Sequence, residues 1–367
     1  MSMILKLTEK ELVRCKEFLD VKEANLSAAE IYIEYLTYHA RDIKKFDIEK
    51  LRKKYPENGV FFRAFLHAIP IDPENKEFLT INETCNINNI KELNPDDYKK
   101  DKFYQKFSPI SVQKNEWIFT KLNYEPFEGF VYDELDVDEN TYAEHTPLGY
   151  FKEEFPYFAV IQNDDIWMSV IPHEINTMKD AIKEATGDVV VLGLGLGYYL
   201  YHIHLKDDVK HIRVVEKDKN VIDMFKEHLL PRFEYPEKIE IIEGDALEYI
   251  GQGKEPDFVF ADLWHNVGDG EKLYLLLKAK EREHPHPKYM YWIERSILCM
   301  LRRQVLTIFE EQLEGFTEED YKKAKNDNDK IINRLYFLTK DVVIDSKEKL
   351  HDLLSEASLK QLAKQIY

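Results

Sequence analysis

Apolar positions follow two different periods along the chain, and the change from one to the other divides it. In the first hundred residues the spacing is helical: Thr8 with Glu11 and Ser27 with Glu30 each have the S/T-x-x-E spacing of a capping box, which predicts two helix starts. Beyond Ser27, the positions Ile31, Tyr35, Leu36 and Tyr38 approximate one helical stripe, and a further helix is expected around 60–68, ending before Pro70. From Trp117 the texture becomes aromatic and β-branched with acidic turns, as in WIFTKLNY, GFVYDELDV and FPYFAVIQNDDIWMSVI. These runs predict strands, with Asn163, Asp164 and Asp165 turning a hairpin. After Pro172 the segment HEINTMKDAIKEA has a helical pattern and runs to Gly187, a residue suited to ending a helix.

Across 188–294 strand and helix patterns alternate. Strands are expected at VVVLG (189–193), IRVVE (212–216), KIEII (238–242), DFVFAD (257–262) and KYMYWIE (288–294). Helices fall between them, from about 197, over 219–229, 246–250 and 271–283, with a long one to about Leu313. Such alternation predicts parallel strands joined by right-handed crossovers, so the fold class is α/β with a Rossmann-like, doubly wound, mostly parallel sheet. The boundaries read as a helical N-terminal region (1–110), a β-rich lead-in (111–172), the nucleotide-binding domain (173–315) and a C-terminal extension (316–367). Within that extension LYFLTKDVVI reads as an edge strand or pair.

Composition narrows the class. With 367 residues, 44% of them hydrophobic, the chain has ample material for a core. A net charge of −18 repels phosphate backbones, so nucleic acid is not an expected partner. Cys15, Cys85 and Cys299 lie far apart without metal-ligand spacing, which suggests reduced thiols and a cytoplasmic protein, and no metal is assigned. The N-terminus carries charges through any apolar stretch, unlike a signal peptide, and the run 189–205 is split by glycines, so no membrane association is expected. The reading leaves a homo-oligomer open.

The chemistry concentrates at the strand ends. Gly193, Gly195 and Gly197 fall where the first strand meets its helix, where glycine permits a tight turn and close approach of backbone to ligand. Glu216 ends the second strand 19 residues after Gly197, matching the acid that receives ribose hydroxyls in dinucleotide folds. Tyr198 departs from the G-x-G-x-x-G form, which weighs against a nicotinamide cofactor. Asp245 and Ala246 follow the third strand in EGDA, and Asp262, Trp264 and His265 follow the fourth in ADLWHN.

Over 173–313 this pattern resembles class I S-adenosylmethionine-dependent methyltransferases. The resemblance implies S-adenosyl-L-methionine as cofactor, with Gly193, Gly195 and Gly197 as the loop for its methionine part. It makes Glu216 the ribose acid, Asp245 and Ala246 the adenine turn, and Asp262 a residue at the reacting group. Asp262 and His265 are the catalytic candidates, histidine being the side chain that most readily exchanges a proton near neutral pH. Tyr142, Tyr198 and Trp264 are candidate pocket walls. No Asn-Pro-Pro-Tyr or Asp-Pro-Pro-Tyr follows the fourth strand, which argues against bases as acceptors and leaves a small molecule or a protein. A hairpin, a helix and the same sheet are also similar to spermidine synthases, which transfer aminopropyl from decarboxylated S-adenosylmethionine. DENTYAEHTPL (138–148) loosely matches their Asp-Glu-x-x-Tyr-x-Glu stretch, while ADLWHN lacks their Asp-Ser-x-Asp-Pro-like turn. The expectation is therefore a methyltransferase that prefers the carboxylated nucleotide, with the aminopropyltransferase as alternative and a non-catalytic nucleotide-binding module as another.

Overall fold

The structure is a computed structural model that describes residues 3–56, 59–107, 111–163, 165–323 and 326–367. Helix α1 (Glu9–Glu34) starts at Thr8, whose hydroxyl accepts the Glu11 N–H at 3.2 Å. Ser27 caps nothing, because it lies inside α1, so one helix stands where two were expected. No glycine or proline interrupts the segment, and Cys15, Phe18, Ala24, Ala28 and Tyr32 are buried along it, so packing carries the helix through the second capping signal. Helices α2 (Val60–Ala68) and α3 (Lys76–Cys85) close a core around Tyr32, Tyr35, Phe65 and Phe78.

The lead-in forms an antiparallel sheet of β1 (Val112–Lys114), β2 (Trp117–Tyr124), β3 (Phe155–Gln162) and β4 (Asp165–Ser169), in the order β4-β3-β2-β1. Asp165 pairs with Gln162 across the hairpin, and Asn163 has a positive φ of 51°, as a tight turn requires; Asp164 lies outside the described residues. Two short helices, α4 (Pro172–Thr177) and α5 (Lys179–Glu184), then lead to the main sheet. Gly187 does not end a helix but opens the next strand at φ 69°.

That sheet holds β5 (Gly187–Leu192), β6 (Val209–Glu216), β7 (Ile239–Glu243), β8 (Phe258–Ala261) and β9 (Lys288–Tyr291). Helices α6 (Tyr198–His204), α7 (Lys219–Met224), α8 (Ala246–Tyr249) and α9 (Val267–Glu283) connect them, and α10 (Glu294–Leu313) follows. Every pairing is parallel and the order is β7-β6-β5-β8-β9, so the fold is the expected Rossmann-like, doubly wound sheet. The order reverses between β6 and β8 around β5, which opens a crevice beyond the carboxyl ends of these strands. Helix α9 begins at Val267 because the Asn266 side chain accepts the Gly268 N–H at 2.8 Å and Asp269 caps in return.

Beyond α10 the chain adds α11 (Asp327–Thr339), α12 (Lys347–Leu354) and α13 (Glu356–Ala363). LYFLT is helical rather than extended, since Leu335, Tyr336 and Thr339 fall on one buried face of α11. Only Val343–Ile344 is extended, pairing in parallel with Ile4–Leu5 and not with the main sheet. Among the described residues no helix is long and apolar enough to cross a membrane.

Candidate active site

The carboxyl ends of β5, β6, β7 and β8 surround a cleft, roofed from the lead-in by Trp167 and Met168 of β4 and by Glu174 of α4. Gly193 sits at φ 98°, where an added Cβ would overlap the Asp262 carbonyl oxygen; only glycine lets β5 and β8 end this close together. At Gly195, φ 50°, a Cβ would overlap Met168 Sδ. Gly193 and Gly195 line the cleft, but Gly197 does not: it starts α6 beneath Phe225.

Four of the loop's amides are engaged within the protein. Gly193 N–H donates to Val215 O at 2.9 Å and Gly197 N–H to Leu194 O at 2.8 Å. Leu194 N–H donates to Glu216 Oε2 at 3.2 Å, and Leu196 N–H to Met168 Sδ at 3.2 Å. Of the cradle expected for an α-carboxylate at the loop and the α6 N-terminus, the β4 hairpin thus covers the Leu196 amide with a thioether.

Glu216 lines the cleft, its Oε1 accepting the Asp218 N–H at 2.8 Å and its carboxyl raised above the ordinary value by burial. A carboxylate that accepts two backbone N–H groups keeps lone pairs for two hydroxyls. Asp245 and Ala246 form the adjoining wall; Asp245 Oδ1 caps α8 by accepting Leu247 N–H at 2.8 Å. All four strand-end elements named from the sequence thus meet at one cleft.

Asp262 is not a helix cap. Its carboxyl is buried in the cleft wall and burial pushes it up to about 7. Beside it stands Glu174, also raised, first by burial and then by the charge of Asp262. Among the described residues no cation or hydrogen-bond donor reaches either carboxyl group. Two carboxyls in one dry site cannot both ionise without a cation, and a bound ammonium would supply it. Sequence reading missed Glu174, because an acid in HEINT looks like any exposed helical residue until α4 is folded under the hairpin.

His265 stands at the mouth, its Nδ1 2.7 Å from Asp269 Oδ2 and its ring edge-on to Trp167 at 3.8 Å. With Asp269 accepting a proton from Nδ1, Nε2 is left as the acceptor atom. Trp264 and Trp292 complete the wall; the Trp264 Nε1–H is buried without a partner among the described residues. Trp292 is turned inward by Ile293, which holds a left-handed φ of 48°, rare for a β-branched residue. Tyr198 and Tyr142 do not line the cleft. Tyr198 donates to Asp101 Oδ2 at 3.1 Å, and Tyr142 donates to the His351 carbonyl at 2.8 Å, far along the chain from the strand ends. With Tyr142 goes the DENTYAEH stretch, whose Glu144 pairs with Arg303.

Residues 172–282 match the family model of the spermine/spermidine synthase domain. The match runs from α4 through nearly all of α9, and so takes in Glu174, the glycine loop, Glu216, Asp245, Asp262 and His265. No curated protein matches the chain. Among solved structures it is similar to the spermidine synthase of Thermotoga maritima, at 15% identity and TM-score 0.31, over 53% of this chain and 62% of that one. It is similar also to a spermidine synthase in complex with the transition-state analogue AdoDATO, at 15% identity and TM-score 0.30, over 53% and 61%. The chain thus covers less than two thirds of either synthase. The domain match overturns the expected methyltransferase, and the Met168 thioether leaves the loop one amide fewer for the carboxylate of a carboxylated nucleotide. Where those synthases were expected to carry an Asp-Ser-x-Asp-Pro-like turn, this chain has ADLWHN, whose His265 is held by Asp269 at 2.7 Å.

Proposed function

We propose that the protein transfers an aminopropyl group from decarboxylated S-adenosylmethionine to a small polyamine. The observation that carries this reading is the pair Glu174 and Asp262, desolvated beside one another in the cleft wall with no cation among the described residues to meet them. The nucleotide would bind with its ribose on Glu216 and its adenine against Asp245 and Ala246, the roles implied by the resemblance. When bound, it supplies a carbon activated by an adjacent sulfonium. Glu174 and Asp262 would hold an ammonium group and align the attacking amine. His265 Nε2 would accept the proton that this amine sheds, with Asp269 fixing the ring through Nδ1. Trp167, Trp264 and Trp292 would keep water from the reacting carbon.

The test is incubation of the purified chain with decarboxylated S-adenosylmethionine and putrescine or spermidine, followed by product analysis. The expected result is an amine lengthened by one aminopropyl unit together with 5′-methylthioadenosine. In His265→Gln, kcat should fall by about 10²-fold or more, the usual worth of a positioned base, with KM little changed. Nucleotide binding without turnover on either amine would sink the proposal.

A further inference from the structure

A second cavity, of about 200 Å³, lies on one face of the main sheet beside α8. Its floor is a row of paired positions across four strands: Arg213 of β6, Val190 of β5, Val259 of β8 and Tyr289 of β9. A Rossmann-like sheet usually packs such a row against a helix, but α8 is a single turn and the glycine-containing loop that follows encloses a cavity over the row instead. Arg213 is out of pattern there, a guanidinium mid-strand where both faces are normally apolar. It is only 9% exposed. Its Nη1 donates to Tyr249 Oη at 3.1 Å, Tyr249 also lines the cavity, and Nη2 is buried with no partner among the described residues. Among the described residues no carboxylate pairs with Arg213 directly: Asp188, close enough to feel its charge, pairs with Lys254, Glu240, its register partner on β7, faces His211 at 3.7 Å, and half-exposed Glu255 at the rim faces His286 at 3.9 Å.

A buried guanidinium with an unpaired N–H and no carboxylate in direct contact is stabilised by an anion that meets it. Having accepted a hydrogen bond from Arg213, the Tyr249 hydroxyl still has its own proton to donate. Around these two groups Val190, Val259, Ile250 and Pro287 are apolar. We infer that this cavity is a binding site for a small carboxylate with an apolar body, held head-first by Arg213 and Tyr249. An engineered cavity of roughly 150 Å³ holds benzene, so a benzoate-sized or short-chain acid suits the space. Because α8 also carries Ala246 and Leu247 of the nucleotide cleft, an occupant would brace that wall from behind.

The site is tested on the full chain without nucleotide, by thermal shift and calorimetry with benzoate, hexanoate, inorganic phosphate and chloride. The expected result is millimolar or tighter binding of the two carboxylates, with a higher melting temperature at about 10 mM and little response to phosphate or chloride. Arg213→Met, which keeps the stem and removes the charge, should weaken carboxylate binding at least about tenfold while remaining folded. Tyr249→Phe, which leaves the guanidinium in place, should weaken it less and serves if Arg213→Met does not fold. No response of the native protein to either carboxylate, equal response to phosphate, or undiminished binding in the variants would overturn the assignment. None of these outcomes depends on aminopropyl transfer, so this site and the proposed activity stand or fall separately.

Discussion

Asp262 and Glu174 are costly to hold beside one another in the cleft wall, and that cost has a pH signature. The carboxyl of Asp262 rises from 3.8 to about 7 on folding, so the native state holds a proton that the unfolded chain releases. This contribution to stability is complete below the ordinary carboxylate value and is lost as pH climbs towards 7. The ligand-free protein should therefore melt at a higher temperature near pH 5 than near pH 7.5, and Asp262→Asn should flatten the difference; scanning calorimetry across that range checks it. Added spermidine should restore more stability at the higher pH, where the carboxylates are ionised. Met168 makes a separate point at the same scale. Its sulfur occupies the Leu196 N–H at 3.2 Å, so Met168→Ala should free that amide for an anionic group. The expected outcome is a shift of nucleotide preference towards S-adenosylmethionine by up to about 1.5–3 kcal/mol, the range for a hydrogen bond to a charged partner, read from titrations with both nucleotides. An unchanged ratio would show that the thioether does not set the selectivity.

Among the elements, α1 shows how packing outranks a local signal. Thr8 and Ser27 carry the same capping-box spacing, yet only Thr8 caps a helix end, because Ala24, Ala28 and Tyr32 continue one buried face past Ser27. Thr8→Ala should cost about 0.5–2 kcal/mol of stability and Ser27→Ala less than about 0.5, as urea denaturation would measure. The same logic explains the end of the chain, where LYFLT has the composition of a strand but is placed by Leu335, Tyr336 and Thr339 on a buried helical face. At β5, β6 and β8 the local and tertiary demands agree: continuous apolar runs such as Val189–Leu192 and Phe258–Ala261 are buried from both sides, and the expected strand ends shift by at most three residues. The glycine loop lies between these cases. Its turn was legible because positive φ at Gly193 and Gly195 demands glycine, but its occupant was not, since Met168 comes from a different element.

Over the whole molecule, a net charge of −18 works against any polyanion and in favour of polycations. Generic RNA or DNA should not bind appreciably at physiological salt, and a gel shift in the micromolar range that weakens steeply with salt would overturn this. The architecture around the cleft was readable from sequence because its signals are local: alternation of period marks strands and helices, glycines mark a turn, and an acid ending a strand must lie at the carboxyl edge of a parallel sheet. So order and spacing place Glu216, Asp245, Asp262 and His265 at strand ends along one edge, and the family resemblance gathers them into one cleft. The direction of the chemistry could not be read this way. It rests on Glu174 beside Asp262 and on Met168 over the Leu196 amide, contacts between residues 88 and 28 positions apart that no periodicity encodes. The buried Arg213 and its cavity belong with them, visible in the sequence only as a charge within an apolar strand. Sequence by itself determined where the glycine and acid-bearing edge of the parallel sheet would form; folding the hairpin and α4 over that edge decided which charges are left unpaired there, because desolvation and pairing exist only once distant segments exclude water from the same space.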